Sequence, residues 1–454
     1  MRVDSFLRSA GLAGGLALLC GTALAQPGAA SAPAASAAAS AAEAPVSSAA
    51  QRIVERTRAR LVQVRTLLKT QDSQSSVGSG FLVSEEGHLI TNFHVVSDVA
   101  LQPDRHRLVY AGADGEQGPL QLLAVDVIHD LALLKPVNPK AFAGRGALSF
   151  RADTPARGVR IYSLGNPLDV GFAVMEGSYN GLAERGFIPT LFFGGSLSAG
   201  MSGGPAVDDA GQLVGVNVAA RRDGEQVSFL VPAQFAQALL AQGRQAKPMT
   251  TPAYPEVTRQ LLAHQAELTR RFIAQPWRSA GHVKYQIPVP QETFLRCWGQ
   301  GSPTAERGLQ FERSDCEMDS RVFISGSLST GYLTARHEAY DGRKLGALRF
   351  AQRYSASFTN EFFGSSNRQR TAAQCQEDTV DRAGLPLRAL VCLSAYKKLP
   401  GLYDLSVLTA TLDQSTAGAQ GRFDAYGVSF DNALLLARHY LEGYAWTAPK
   451  TVSP

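Results

Sequence analysis

Between residues 50 and 220 the chain keeps one rhythm: a short apolar run, then Gly, Asp or Pro, then another run. LVQVRTLL, GFLVS, GHLITNF, LALLKPV, VRIYSLG and LVGVNVA succeed one another in this way. Runs so short and so punctuated are too brief for ordinary helices. They predict many short strands joined by turns, and hence a mainly β barrel or sandwich. PAQFAQALLAQ then begins at Pro232, with Gly243 after it. Proline in a first turn and glycine past the end mark a helix, which closes a domain over residues 50–243.

At 454 residues the chain exceeds one ordinary core, so further domains are expected. Residues 1–25, with Arg2 and Arg8 before an apolar stretch and small Ala23 and Ala25, read as a cleavable signal peptide rather than a membrane anchor. Leu19 directly before Cys20 departs from the small residue of a lipidation site. Residues 26–49 are rich in Ala, Ser and Pro and read as a disordered tether, while Pro248, Pro252 and Pro255 mark a linker over 244–255. In residues 256–450, Val257, Leu261, Leu268 and Phe272 recur at helical spacing, RVFISGSLS and DLSVLTATL look like strands, and Phe430 to Leu441 reads as a last helix. This half is expected to be a separate α+β domain of unknown role. Export makes Cys297, Cys316, Cys375 and Cys392 disulfide candidates. Their spacing suits the pairs Cys297 with Cys316 and Cys375 with Cys392, although four cysteines allow three connectivities.

A formal net charge of +5 is small for this length and implies no nucleic-acid partner, and the mixed stretch RIVERTRARLVQVR reads as a solvated face. The histidines show no metal-ligand spacing, so neither metal nor cofactor is expected. His129, next to Asp130, should point away along a strand and be structural, and Asp126 reads as a turn acid.

Three residues carry chemistry. Ser202 stands among glycines in SAGMSGGPA, His94 in GHLITNFHVV and Asp130 in DVIHDLALLK. A serine hydroxyl needs a base to remove its proton, and the base needs an acid to orient it. The chain order His94, Asp130, Ser202 is one of the convergent triad orders. It differs from the serine-first order of α/β hydrolases, which disfavours an esterase or lipase.

GSGFLVSEEGHLITNFHVV, DLALLK, SLGNP, SGGP and GQLVGVNVA followed by FLVP together resemble the trypsin-like serine proteases of the HtrA/Deg type, over residues 60–240. The resemblance implies a chymotrypsin-like double β-barrel and an exported, periplasmic endopeptidase, with secretion the other destination. Unfolded polypeptide would be the substrate, with a homo-oligomer or an envelope protein as further partner and no transmembrane anchor in the mature form. It assigns His94, Asp130 and Ser202 to catalysis and the N–H groups of Gly200 and Ser202 to an oxyanion hole. Ser196, Leu197, Val216, Asn217, Val218 and Ala219 would line the substrate pocket. None is acidic, so a small or medium aliphatic residue before the cut is expected. The main chain of Val216 to Val218 would pair with an extended substrate. Met201 replaces the asparagine common before the family's serine and cannot make the acid-to-N-terminus ion pair of digestive zymogens. Residues 256–450 show no carboxylate-binding loop of a PDZ domain. A catalytically silent, protease-like scaffold that binds an envelope partner is the competing expectation.

Overall fold

The computed structural model describes residues 47–167, 170–220, 227–279, 282, 284–302, 308–359 and 361–447. The expected signal peptide and nearly all of the expected tether lie outside these residues. A first helix, α1 (Ser48–Thr57), begins inside the tether's last residues, with the Ser47 hydroxyl accepting from the Ala50 N–H.

Twelve strands follow, and they close into two six-stranded barrels. The first contains β1 (Leu61–Leu68), β2 (Gln74–Leu82), β3 (Leu89–Thr91), β4 (His106–Gly112), β5 (Gln117–Asp126) and β6 (Leu131–Pro136), in the closed order β1-β2-β3-β6-β5-β4. The second contains β7 (Arg160–Gly165), β8 (Ala173–Leu182), β9 (Leu191–Gly194), β10 (Pro205–Val207), β11 (Leu213–Ala220) and β12 (Ser228–Pro232), in the order β10-β11-β12-β9-β8-β7. Helix α2 (Phe93–Leu101) joins β3 to β4, and α3 (Ala233–Gly243) ends the second barrel. Pro232 is the residue before α3 and Gly243 its last, each one place from the expected position.

The continuous apolar runs have a direct cause: both faces of the first barrel's wall are buried. Alternate residues of a strand face opposite sides. Val62, Val64, Leu82, Leu89, Ala132 and Leu134 enter one core. Their neighbours Leu61, Phe81, Ile90, Leu131 and Leu133 enter another, shared with Tyr162, Leu164, Val207 and Leu213 of the second barrel. The seam between the barrels is therefore a hydrophobic core in its own right.

After α3 the chain stays on the first barrel. The Met249 N–H donates to the Leu122 carbonyl at 2.8 Å, and the Ala253 N–H to that of Ala100 at 2.8 Å. Helix α4 (Tyr254–Ile273) carries the expected apolar stripe but divides it between two cores. Val257 and Leu261 pack with the first barrel, Leu268 and Phe272 with the sheet beyond. Burying each such side chain is worth about 1.5–3 kcal/mol, so α4 couples the two halves.

That sheet has seven antiparallel strands, in the order Leu295–Gly301, Gln310–Met318, Tyr332–Asp341, Ala417–Val428, Tyr403–Thr411, Leu385–Ala395 and Gln374–Arg382. Its central strands pack on α4 and on α6 (Phe430–Glu442) through Leu405, Val407, Phe423 and Leu436. Residues of opposite parity, Leu408 and Ala410, meet Phe350, Tyr354 and Phe358 of α5 (Ala347–Thr359). Cys297–Cys316 and Cys375–Cys392 are disulfides, each between directly opposed residues of an edge strand and its neighbour. A hairpin of Val322–Ser325 and Leu328–Thr330 leaves the sheet and lies on α2.

Candidate active site

His94 is the second residue of α2, and Asp130 immediately precedes β6. Four hydrogen bonds join them and their neighbours. The Asp130 carbonyl accepts from the Phe93 N–H at 3.0 Å and from Asn92 Nδ2 at 2.8 Å. Its carboxylate accepts from the His94 N–H at 2.8 Å and meets His94 Nδ1 at 2.6 Å. To do so Asp130 adopts φ +55°, a left-handed conformation that aspartate tolerates better than most residues. A carboxylate at a helix N-terminus is also favoured by the helix dipole.

An ionised carboxylate can only accept, so Nδ1 carries the proton and Nε2 is left as the basic end of the ring. Burial disfavours the imidazolium, but the field and the hydrogen bond of Asp130 outweigh it, and the His94 pKa lies above the usual histidine value.

The turn that carries Asp130 is braced by its own neighbour. His129 Nδ1 meets Asp126 Oδ2 at 2.7 Å, its N–H donates to Asp126 Oδ1 at 3.1 Å, and its ring stacks on Phe235 of α3 with centroids 3.6 Å apart.

Ser202 comes from the second barrel, on the loop between β9 and β10, and that loop docks on the first. Strand β3 pairs with β2 only at Phe81 and Leu82, so the earlier edge of β2 is open. There the Ser79 N–H donates to the Ser202 carbonyl at 2.7 Å and the Ser79 hydroxyl to the Gly200 carbonyl at 2.7 Å. Ser79 Oγ in turn accepts from the Asn166 N–H at 2.9 Å. The fit leaves no space at Gly203: a Cβ would lie 2.3 Å from the Ser79 carbonyl oxygen and from Thr91 Oγ1, at φ +83°. Only glycine is compatible with both constraints. Gly200 also has positive φ, +89°. Among the described residues, the N–H groups of Gly200 and Ser202 have no protein acceptor. The Ser202 hydroxyl donates to the Val218 carbonyl at 3.3 Å rather than to the imidazole.

The expected pocket residues divide. Val218 borders a cleft of about 670 Å³ that also reaches Asp130 and Phe192. Ser196 is exposed, and Leu197 is half-buried with its N–H on Ser228 Oγ at 3.1 Å. Ala219 lies on β11, paired with Phe229. Asn217 and Val216 do not line the cleft. Val216 belongs to the core between the barrels. Asn217 is fully enclosed beneath the Ser202 loop, where its Oδ1 accepts from Ser163 Oγ at 2.8 Å and its Nδ2 donates to the carbonyls of Leu164 and Met201 at 2.9 and 3.2 Å. The main chain of Val216 and Asn217 is likewise consumed, by β10, β12 and the Ser202 loop. Only from the bulge at Val218 onward can β11 offer main chain to an extended ligand.

Two contributors escape the sequence reading. Ser79 holds the Ser202 loop, and it lies at the start of GSGFLVSEEGHLITNFHVV, quoted above for its resemblance with no role given to Ser79. The far wall of the cleft includes Arg296, Asp319, Ser320 and Arg321, from the second half of the chain.

The family model of the trypsin-like peptidase domain matches residues 78–216. The serine endoprotease DegS of Escherichia coli (strain K12) is 29% identical over 177 residues, 36% of this chain and 47% of the relative. A probable periplasmic serine endoprotease, DegP-like, of Brucella suis biovar 1 is 33% identical over 148 residues, 31% of this chain and 27% of the relative. The chain thus spans less than half the length of these curated relatives. Among solved structures, the serine endoprotease from Yersinia pestis aligns with 27% identity and a TM-score of 0.37, covering 44% of this chain and 67% of that one. A protease of M. tuberculosis in its active form aligns with 22% identity and a TM-score of 0.38, covering 44% and 87%.

Proposed function

We propose that this chain is an exported serine endopeptidase of the HtrA type that cleaves unfolded or extended polypeptide; residues 78–216 match the trypsin-like peptidase domain, and DegS and a DegP-like protein are among its relatives. The observation that carries the reading is the latched Asp130–His94 couple beside a serine loop docked on the same barrel. Ser202 attacks the peptide carbonyl, His94 Nε2 takes its proton and returns it to the leaving amine, and Asp130 holds the tautomer and stabilises the imidazolium. The N–H groups of Gly200 and Ser202 receive the oxyanion, each such donor being worth roughly 3 to 4 kcal/mol in comparable hydrolases. Before this, the Ser202 hydroxyl gives up its bond to the Val218 carbonyl.

The residue before the cut is small or medium aliphatic, because Ser196 and Leu197 offer a cationic side chain no partner. Its flanking main chain pairs from Val218 onward, which suits an unfolded chain. Two disulfides support a periplasmic, oxidising destination. No helix among the described residues is long and apolar enough to cross a membrane.

A fluorophosphonate probe tests the reading. The chain is expected to be labelled, and Ser202→Ala not. Labelling should rise with pH through a value above 6.5, because only neutral His94 can act as base and its pKa is raised. The orientation of Ser202 toward Val218 favours one competitor, a silent protease-like scaffold, and absence of labelling in the presence of unfolded polypeptide would establish it.

A further inference from the structure

The second half of the chain touches the histidine. On the Val322–Ser325 strand, Val322 and Ile324 are each 1% exposed and enter the first barrel's core beside Val95, Val96 and Val99 of α2. Phe323, between them, lies against the start of that helix. Its ring stands edge-on to His94, centroids 6.0 Å apart at 76°, and to Phe93 at 6.4 Å and 69°. The residues just before it, Asp319 to Arg321, border the cleft.

The hairpin is anchored at both ends, which separates it from a mobile lid. Its first strand is sealed into the core. Thr330, at the end of its second strand, shares a hydrogen bond of 2.7 Å with the Tyr396 hydroxyl, which donates to Asp404 at 2.6 Å. Arg370 is ion-paired to Asp404 and donates to the Tyr396 hydroxyl at 3.0 Å. A second clamp acts on the other barrel: Phe187, between β8 and β9, packs edge-on to His264 and Phe294, each at 5.2 Å. The histidine's barrel and the serine's barrel are thus both held by the same domain.

We infer that Phe323 is a positioning residue for His94, so that the C-terminal domain is part of the catalytic apparatus rather than an appended module. This rests on the reading of His94 as the base. Nδ1 is already fixed by Asp130, but a ring held at one edge can still rock about that bond, and an aromatic edge against it removes the freedom. The same contact shields that edge of the ring from water, and burial is the influence that opposes protonation of His94. Misplacing a reacting group by about 1 Å costs up to roughly a hundredfold in rate, so the contact is large enough to measure.

The test uses the full chain with Phe323→Ala and Phe323→Leu, each verified as folded by near-ultraviolet circular dichroism. Phe323→Ala should slow fluorophosphonate labelling and lower kcat/KM on an unfolded polypeptide by roughly ten- to a hundredfold, with the loss in kcat and KM nearly unchanged. Phe323→Leu should recover part of it. The acid limb of the pH profile should move to higher pH, because water admitted to the ring weakens the burial that opposes protonation. Asp130 is the charged group acting on that ring, and it is unchanged in both variants. Labelling at the unaltered rate and pH profile would overturn the inference, and so would a gain in activity, which would make the hairpin an obstruction. If the unaltered chain is not labelled at all, the endopeptidase reading fails separately. The contact is then read from the NMR titration of His94 in the Ser202→Ala background, where Phe323→Ala must shift the midpoint upward or the inference falls with it.

Discussion

At the residue scale, the three residues proposed to react were legible because each sits in a short local pattern with its own chemistry. What surrounds them was not. Asn217 and Val218 are neighbours on one strand, and simple alternation would send one to the cleft and one to the core. Alternation holds here: Val216 and Val218 pack with the core between the barrels, and Asn217 faces the other way. Asn217 therefore becomes the floor of the serine loop, a role no spacing announces. Ser79 is similar. Its hydroxyl satisfies the Gly200 carbonyl and the Asn166 N–H at once. Removing it leaves two polar groups without a partner, and the Gly200–Met201 peptide, which lies between the two proposed oxyanion donors, loses its anchor. Ser79→Ala should reduce kcat/KM by roughly ten- to a hundredfold, the scale of losing one oxyanion donor or less, and should also lower thermal stability, since a buried polar group left unpaired costs about 1–3 kcal/mol. An unchanged kcat/KM would mean that the loop holds its shape through Gly203 and Asn217 alone.

At the scale of elements, strand rhythm located the two barrels, and the apolar stripe of α4 located that helix. Helix α5 was missed although Phe350, Tyr354 and Phe358 recur every fourth residue; exposed Leu348 and the polar residues between them mask the stripe. Disulfide pairing could not be chosen from spacing, yet its logic is evident in the sheet. Both edge strands of the seven are stapled to their inner neighbours. The edge Gln374–Arg382 is also mostly exposed and carries Glu377, Asp378 and Asp381, charges that discourage pairing with another chain. Each disulfide closes a loop of 19 or 17 residues in sequence separation, for which chain entropy predicts about 3 kcal/mol of stabilisation. Replacing Cys375 and Cys392 by serine should lower the denaturant-unfolding free energy of the C-terminal domain by about that amount. Labelling of Ser202 should persist, since this edge lies across the sheet from the strands nearest the cleft. A loss near zero would mean that the unfolded chain is already constrained there.

At the scale of the whole molecule, the linker expected after α3 is where sequence and structure diverge most. Prolines signalled a break, and a break in regular structure is present, but not in packing: the segment hydrogen-bonds to the first barrel and delivers α4 onto it. Composition reports the absence of helix or strand and is silent on what a segment lies against. The consequence is that the first barrel does not own its core. Val257, Leu261, Val322, Ile324, Leu399 and Leu402 all belong to it and all come from beyond residue 246. At about 1.5–3 kcal/mol for each side chain, their loss matches or exceeds the 5–15 kcal/mol by which a domain is ordinarily stable. A chain ended at Ala246, which retains both barrels and every triad residue, should therefore be insoluble or lack a cooperative melting transition, and the probe should not label it. Supplying residues 247–447 as a separate chain should restore neither unless the two halves are refolded together. A truncated chain that melts sharply and is labelled at the full rate would show instead that the barrels stand alone, and that the helix and hairpin lying on them are passengers.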